Sequence, residues 1–373
     1  MNNKTTKINK IGWAEIELSN ESLKHLNNLI NYRDKILNNK KIQFINNNYF
    51  HNEVIKSTIR SLLRYSNQSR FFLKSLMSDL VEHNEVIKDF YLTPPYIIIH
   101  NPHDYNEKGN FHSDTLKYCK KSFTSWTPLN NYKMTYSALS ILNSSHSSYI
   151  KIIYRLLDKI KLSQKISQVS KLLLIKQVDI IVKENFTYLW HSDLIHKGNL
   201  NISDKIHMAL VTRISEKPLY YEPTVKISKI INYKNLSAKD NEVTFDDLSS
   251  KIFEICEIAK KNINLINYAN QLKETINENF LKQISFSLSI IAQRFQNKFS
   301  SNLDLVSFLL SKENLVSLER FLTKFNNQDI SKDIIKKIYD DKNLSYQETM
   351  IIKKFKDKRF KVAEYQKIIE WLD

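Results

Sequence analysis

Cysteine is nearly absent. The 373 residues hold two, Cys119 and Cys256, which excludes a disulfide framework and a cysteine-based zinc site and fits a reducing compartment. Glycine is almost as scarce, at three, and no Gly-rich RNA-reading motif is present. Zinc-finger spacing and long blocks of consecutive basic residues are missing too, so nucleic acid is not an expected partner. No uncharged apolar run approaches the roughly 18 residues that a membrane span needs. Residues 1–15 carry lysines but no apolar signal core. The expectation is a soluble cytoplasmic protein with no membrane partner.

Length and charge are what the chain does have. At 42% hydrophobic and 25% charged residues it is not a disordered composition, and its length suits two domains. There are 56 Lys+Arg against 39 Asp+Glu, a formal net charge of +17. Only nine of the basic residues are arginines, and Asn and Ile are abundant. Lys, Asn and Ile together are what an AT-rich coding sequence favours, so part of the charge is compositional. The remainder steers toward anionic partners such as phosphates or phosphorylated sugars.

Periodicity divides the chain. Leu23, Leu26, Ile30 and Leu37 predict a helix capped at Ser19 or Asn20, and a second helical pattern runs from about Asn52 to Leu80. Pro94 and Pro95 end it, and Tyr96-Ile97-Ile98-Ile99 predicts a buried strand. Short segments follow at 111–116, 122–129, 135–142, 177–183, 186–191 and 206–214, with one helix at about 148–160. That pattern predicts an antiparallel β-sandwich or barrel. Residues 218–241 read as a polar linker. From Thr244 the helical period returns and continues to Leu372. The expected organisation is a β-rich domain over 1–217 with N-terminal helices, a linker over 218–241, and an all-α appendage over 242–373, an α+β chain overall.

The residues that carry chemistry lie in the β-rich middle. His112 and Asp114 are two apart, and on a strand residues i and i+2 share a face. Composition alone gives about one His-x-Asp/Glu pair, and this chain has four. His51/Glu53 and His83/Glu85 lie in or beside helical patterns, where such a pair does not share a face. His191/Asp193 has only His207 after it, too close for intervening strands. His112/Asp114 sits on a strand-like segment with His196 well downstream. Two imidazoles and one carboxylate on one face of a metal leave three positions open, the arrangement of non-haem Fe(II) oxygenases. Trp126 and Trp190 read as core aromatics, Trp126 also as a pocket wall. His146 ends a turn and is a weak substrate-pocket candidate. Cys119 has no base to activate it.

Four stretches resemble the phytanoyl-CoA dioxygenase-like family of Fe(II)/2-oxoglutarate-dependent oxygenases. They are Phe111-His112-Ser113-Asp114-Thr115, Trp126-Thr127-Pro128-Leu129-Asn130-Asn131, Ser140-Ile141-Leu142-Asn143-Ser144-Ser145-His146, and Leu194-Ile195-His196-Lys197-Gly198-Asn199-Leu200-Asn201-Ile202-Ser203. Their order and spacing agree with the family over about residues 95–215. The chain is also similar to the branch associated with surface-carbohydrate gene clusters. The resemblance implies a double-stranded β-helix, or jelly-roll, core. It implies Fe(II) on His112, Asp114 and His196, with 2-oxoglutarate and O2 as co-substrates. It also implies hydroxylation of a small-molecule or carbohydrate-related substrate with release of succinate and CO2. Asn201 matches the asparagine that follows the distal histidine in the family.

One departure concerns the 2-oxoglutarate anchor. The family usually places an arginine about eleven residues after the distal histidine, and His207 stands there. More distant relatives use an arginine about seventeen residues on, where Arg213 stands. A planar guanidinium suits a carboxylate better than a mostly neutral imidazole. Arg213 is therefore the first choice, with His207 or a lysine from a neighbouring strand as the alternative. The missing arginine and the helical appendage leave a second reading open, a non-catalytic jelly-roll protein that binds acidic or phosphorylated glycans.

Overall fold

The computed structural model describes residues 8–321 apart from 9, 46–47, 104–108, 115–120, 131–136, 160–165, 167, 170–173, 220–223, 234–242, 262–263, 296, 312–313, 315 and 319. Thr115, Cys119, Asn131 and the helical pattern beyond 321 lie outside the described residues.

Two antiparallel sheets form the middle of the chain. The larger has seven strands: β1 (Trp13–Glu17), β2 (Tyr91–Leu92), β3 (Tyr96–His100), β4 (Ser122–Pro128), β7 (Phe186–His191), β9 (His207–Ser215) and β10 (Val225–Lys226). Their order is β1-β7-β4-β9-β2-β10, and β3 also pairs with β9. The smaller has the order β6-β5-β8, from β5 (Ser137–Leu142), β6 (Gln177–Ile181) and β8 (His196–Gly198). The expected strands near 96, 122, 137, 177, 186 and 207 are all found. β1 was not expected, because WAEIE is short and two glutamates interrupt its apolar run.

The alternation of side chains across a strand gives the large sheet two apolar faces. Trp13, Trp126, Tyr188, Trp190 and Ala209 face one way and pack with Leu139, Ile141 and Ile180 of the small sheet. Ala14, Ile16, Ile97, Ile99, Leu189, Leu210 and Ile214 face the other way and join a core built with the helices. A sheet covered on both sides needs apolar residues at both parities. This is why Tyr96–Ile99 reads as a continuous run rather than an alternation.

The helices are α1 (Asn20–Leu37), α2 (Tyr49–Arg64), α3 (Asn67–His83), α4 (Ser148–Lys159), α5 (Ile227–Asn232), α6 (Phe245–Lys261), α7 (Leu265–Thr275), α8 (Glu278–Arg294) and α9 (Lys298–Leu310). Ser19 caps α1, its side chain accepting from the Ser22 N–H. The pattern expected as one helix from 52 to 80 is broken between Arg64 and Asn67. There Ser66 turns extended and accepts the Ser69 N–H at 3.1 Å, starting α3 afresh. The stretch read as a linker contains β10 and α5, held by the buried Val225, Ile227 and Ile230. The helices after Thr244 share one core with the N-terminal helices. Ser61 on α2 donates to the Gln283 carbonyl on α8, and Ser287 on α8 donates to the Ser57 carbonyl on α2.

Helix α2 runs along the open edge of β3. Arg64 Nη1 donates to the Pro95 carbonyl at 3.0 Å and Arg60 Nε to the Ile97 carbonyl at 3.2 Å. Four helical residues rise about 6 Å, close to the roughly 6.8 Å of two strand residues. One stripe of the helix can therefore satisfy alternate carbonyls of a strand edge that has no further strand to pair with among the described residues.

Gly12 precedes β1 with φ +92°, and a Cβ there would meet Leu194 Cδ1 at 2.6 Å and His146 Nδ1 at 2.5 Å. Leu194 is fully buried and has little room to yield. Gly12→Ala is expected to destabilise the fold by about 2 kcal/mol or more through the left-handed backbone and overpacking, read as a lowered urea midpoint. An unchanged midpoint would refute the close approach.

Candidate metal centre

A pair of reciprocal backbone hydrogen bonds builds the centre. His112 N–H donates to the His196 carbonyl and His196 N–H to the His112 carbonyl, both at 2.9 Å. This isolated antiparallel bridge sets the two residues directly opposite each other, with ring centroids 4.5 Å apart. No longer strand forms around His112 among the described residues. The bridge, together with the Gly109 N–H donating to the Gly198 carbonyl at 3.2 Å, continues the β8 edge of the small sheet.

Each ring is aimed by its own Nδ1. In His112 it lies 2.8 Å from the Asn110 carbonyl and in His196 3.0 Å from the Leu194 carbonyl. A carbonyl can only accept, so the proton sits on Nδ1 and the Nε2 lone pair is left for a ligand. His112 Nε2 is 4.0 Å from Asp114 Oδ1, and His196 Nε2 is 3.7 Å from Asp114 Oδ2. One donor atom from each of the three residues lies within 4.8 Å of the others. Ligand atoms at about 2.1 Å from a first-row metal stand roughly 3 Å apart when adjacent. A small inward movement is needed, and the half-exposed His112 is the ring free to make it.

The large sheet supplies the surroundings. Thr124 on β4 pairs with Trp190 on β7 and with Arg213 on β9, so the three side chains form one row on the inner face. Thr124 Oγ1 donates to Asp114 Oδ2 at 2.9 Å. An Arg213 Nη2 lies 4.0 Å from Asp114 Oδ1. The ring of Trp190 is 5.0 Å from that of His196, and its buried Nε1–H has no hydrogen-bond partner among the described protein atoms. Burial works to raise the Asp114 pKa, but His196, Arg213, His112 and the Thr124 hydrogen bond together hold it below the ordinary value. Burial pushes the His196 pKa down, against the pull of Asp114. At neutral pH the site thus presents an ionised carboxylate and a neutral imidazole, the forms that bind metal.

A cavity of about 500 Å³ opens from the triad and takes in Trp126, Trp190, Arg213, His207 and Asn201. His207 and Arg213 share a face of β9 as their even spacing predicts, at opposite ends of the strand. His207 pairs with His100 across β3, and burial with the neighbouring His100 lowers its pKa to about 4. It is a neutral imidazole, 3.2 Å from Ser203 Oγ. Asn201 plays a structural part. Its Nδ2 donates to the carbonyls of His100 and Lys205, and its Oδ1 accepts from Ser203 N and Oγ. Its amide staples the 201–205 turn to the end of β3 and is engaged within the fold.

One expectation is corrected by strand parity and packing. His146 is not brought to the cavity wall; its ring lies 5.5 Å from that of His191, on the far side of the strand from Trp190. His191 packs edge-on against Phe123, and Asp193 is paired with Lys151. Neither faces the triad. Trp190 is buried in the core as expected, and its ring also stands against that of His196, which was not. Thr124 was missed as well. The signal for both was available, since each sits at the parity of Trp126 or Tyr188 on its own strand.

No protein-family model matches the chain, and no curated protein matches it. Among solved structures it is similar to a non-heme alpha-ketoglutarate-dependent carbocyclase, SnoK, from nogalamycin biosynthesis, at 12% identity and TM-score 0.36, over 58% of this chain and 84% of that one. It is also similar to AviO1 from Streptomyces viridochromogenes, at 9% identity and TM-score 0.39, over 57% and 93%. A nickel complex of the non-heme monooxygenase ThoJ matches at 8% identity and TM-score 0.38, over 67% and 93%. At such scores the likeness assigns nothing to this chain.

Two outcomes check the centre. Thr124→Val leaves Asp114 without its hydroxyl donor and should weaken Co(II) binding by about tenfold, read by titration of the visible absorption. Equal affinity would show that the hydroxyl does not orient the carboxylate. The second concerns pH. Unfolded histidine takes up its proton near 6.5, whereas folded His207 waits until about 4. The unfolded state therefore binds more protons between these values. The His207 contribution is complete above about 6.5 and is lost as pH falls toward 4. Urea midpoints of the metal-free protein should drop across that window, and less steeply in His207→Gln.

Proposed function

We propose that the protein is an Fe(II)/2-oxoglutarate-dependent dioxygenase that hydroxylates a small-molecule or carbohydrate-related substrate in a jelly-roll core of the phytanoyl-CoA dioxygenase-like kind. The observation that carries this reading is the meeting of His112, Asp114 and His196 at the wall of a cavity, with both imidazole Nε2 atoms already turned toward Asp114. Two imidazoles and one carboxylate, without thiolate, suit ferrous iron. Bound iron with 2-oxoglutarate would supply O2 activation coupled to oxidative decarboxylation, giving succinate, CO2 and a hydroxylated product.

The chain's own residues supply position, charge and dryness. Asp114 gives one negative charge, kept ionised by Thr124 and Arg213. Arg213 is the residue for the far carboxylate of 2-oxoglutarate. It is a cation on the inner face beside the triad, and His207, the alternative, is neutral at pH 7. Trp190 offers an unused N–H beside His196 to whatever oxygen lies there. The walls of Trp126, Trp190 and Leu139 give the cavity an apolar lining that lowers the local polarity and strengthens the charge interactions beside it.

Purified protein given Fe(II), 2-oxoglutarate and O2 should release succinate, even uncoupled from substrate. His112→Ala or Asp114→Ala should reduce release to background. Arg213→Gln should raise KM for 2-oxoglutarate by about tenfold, the weight of a charge-assisted hydrogen bond, while His207→Gln leaves it within about twofold. Iron-loaded protein that never consumes 2-oxoglutarate would sink the reading.

A further inference from the structure

The cavity wall has a gap at Gly198. The chain holds three glycines, and two of them exclude a side chain for structural reasons. Gly12 has its left-handed backbone and close neighbours. Gly109 lets two main chains approach: a Cβ there would meet the Gly198 nitrogen at 3.0 Å and the Gly198 carbonyl oxygen at 3.2 Å. Gly198 has neither need. Its φ lies outside the left-handed region. Among the described residues a Cβ there would come within 4 Å of His100 alone, with Cε1 at 3.8 Å and Nε2 at 3.9 Å, an ordinary contact. Gly198 is also a strand residue, at the end of β8. Glycine weakens a strand and is found there where a ligand or another backbone comes close. Here no backbone comes close to the missing Cβ.

Strand parity makes the gap part of the metal site. Gly198 and His196 are two apart on β8 and share a face. Lys197 between them turns the other way and sets its ammonium 4.9 Å from the centre of the Phe111 ring. Across on β5, Leu139 stands opposite Gly198 and Ile141 opposite His196. On the large sheet His100 pairs with His207, and Ile98 with Ala209 one row along, all at the cavity wall. Packed sheets stand about 10 Å apart, a space that the side chains of both inner faces normally fill. With a hydrogen at 198 and a methyl at 209, part of that space stays open beside His196. Arg213, proposed for 2-oxoglutarate, stands at the opposite end of β9 from His207, so the gap lies away from the co-substrate. Ile98, Ala209 and Leu139 around it are apolar, and His207 is a neutral imidazole. We propose that Gly198 is a specificity-determining position: the space above it receives an uncharged, ring-sized part of the substrate and brings it beside the metal centre. Assigning that space to the substrate rests on the oxygenase reading; that a ligand, and not the fold, keeps residue 198 bare does not.

The test uses Zn(II)-loaded protein with 2-oxoglutarate, because zinc has no redox chemistry and nothing turns over. Cyclohexanol and methyl β-D-glucopyranoside serve as uncharged ring-sized probes, their binding read by saturation-transfer NMR. At least one should bind at millimolar concentration. Gly198→Ala should weaken it by about tenfold, the effect of one added carbon in a filled pocket, and Gly198→Leu should abolish it. Lys197→Ala, on the other face of the strand, should leave it unchanged. The urea midpoint of metal-free Gly198→Ala should equal or exceed that of the parent, because alanine restricts the unfolded chain and meets no clash. Zn(II) and 2-oxoglutarate affinities, by calorimetry, should stay within about twofold in the alanine variant, since those sites lie apart from the gap. If Gly198→Leu fails to fold, the alanine variant carries the test. Undiminished probe binding in Gly198→Ala, a lowered midpoint, a loss confined to 2-oxoglutarate, or no binding of either probe by the parent overturns the proposal. Protein that binds a probe in the expected pattern yet never forms succinate refutes the oxygenase reading alone. Succinate formed by a protein whose probe binding ignores Gly198→Ala refutes the present inference alone.

Discussion

The two hydrogen bonds that join His112 to His196 decide the rest of the site. They are backbone bonds between segments far apart in the chain, and they fix both main chains before any side chain is placed. Each ring is then turned by the carbonyl two residues before it, Asn110 for His112 and Leu194 for His196. Asp114 follows two residues after His112 and comes under the Thr124 hydroxyl and the Arg213 guanidinium of the large sheet. Small sheet, bridge and large sheet thus each contribute one constraint on the same carboxylate. Geometry set by backbone is stiffer than geometry set by rotamers, which suits a centre that must hold an ion in one arrangement.

Charge balance is the second theme. The large sheet is covered on both faces, so ionised groups near it are in poor contact with water. Asp114 remains ionised because two imidazoles, an arginine and a hydroxyl face it. His207 stays neutral because burial and His100 offer it nothing negative.

Much of the centre was legible. Even spacing puts His207 and Arg213 on one face of β9, whereas the strand expected at 111–116 is reduced, among the described residues, to a single bridge at His112, so strand parity does not account for the meeting of His112 and Asp114. The spacing on β9 is a local fact of the chain. The break at Ser66 was less visible, because the apolar period continues across it and only the cap interrupts the backbone. His146 was misplaced for a related reason. A histidine at the end of a turn can lean to either side of the sheet, and the close approach of Gly12 and Leu194 decides which. Asn201 matched a family position, yet its amide is spent on the turn it closes.

Residue order alone determined the strand parities and the helix stripes, because these depend on neighbours within a few positions. It also spaced Glu53, Lys56 and Arg60 along one face of a helix. Only the tertiary structure decided that this face is buried, that Arg294 joins it from the far end of another helix, and that both open into the cavity of the triad. The cost of an ionised group depends on the medium and the charges around it. Those are set by which surfaces meet, and no local pattern encodes that.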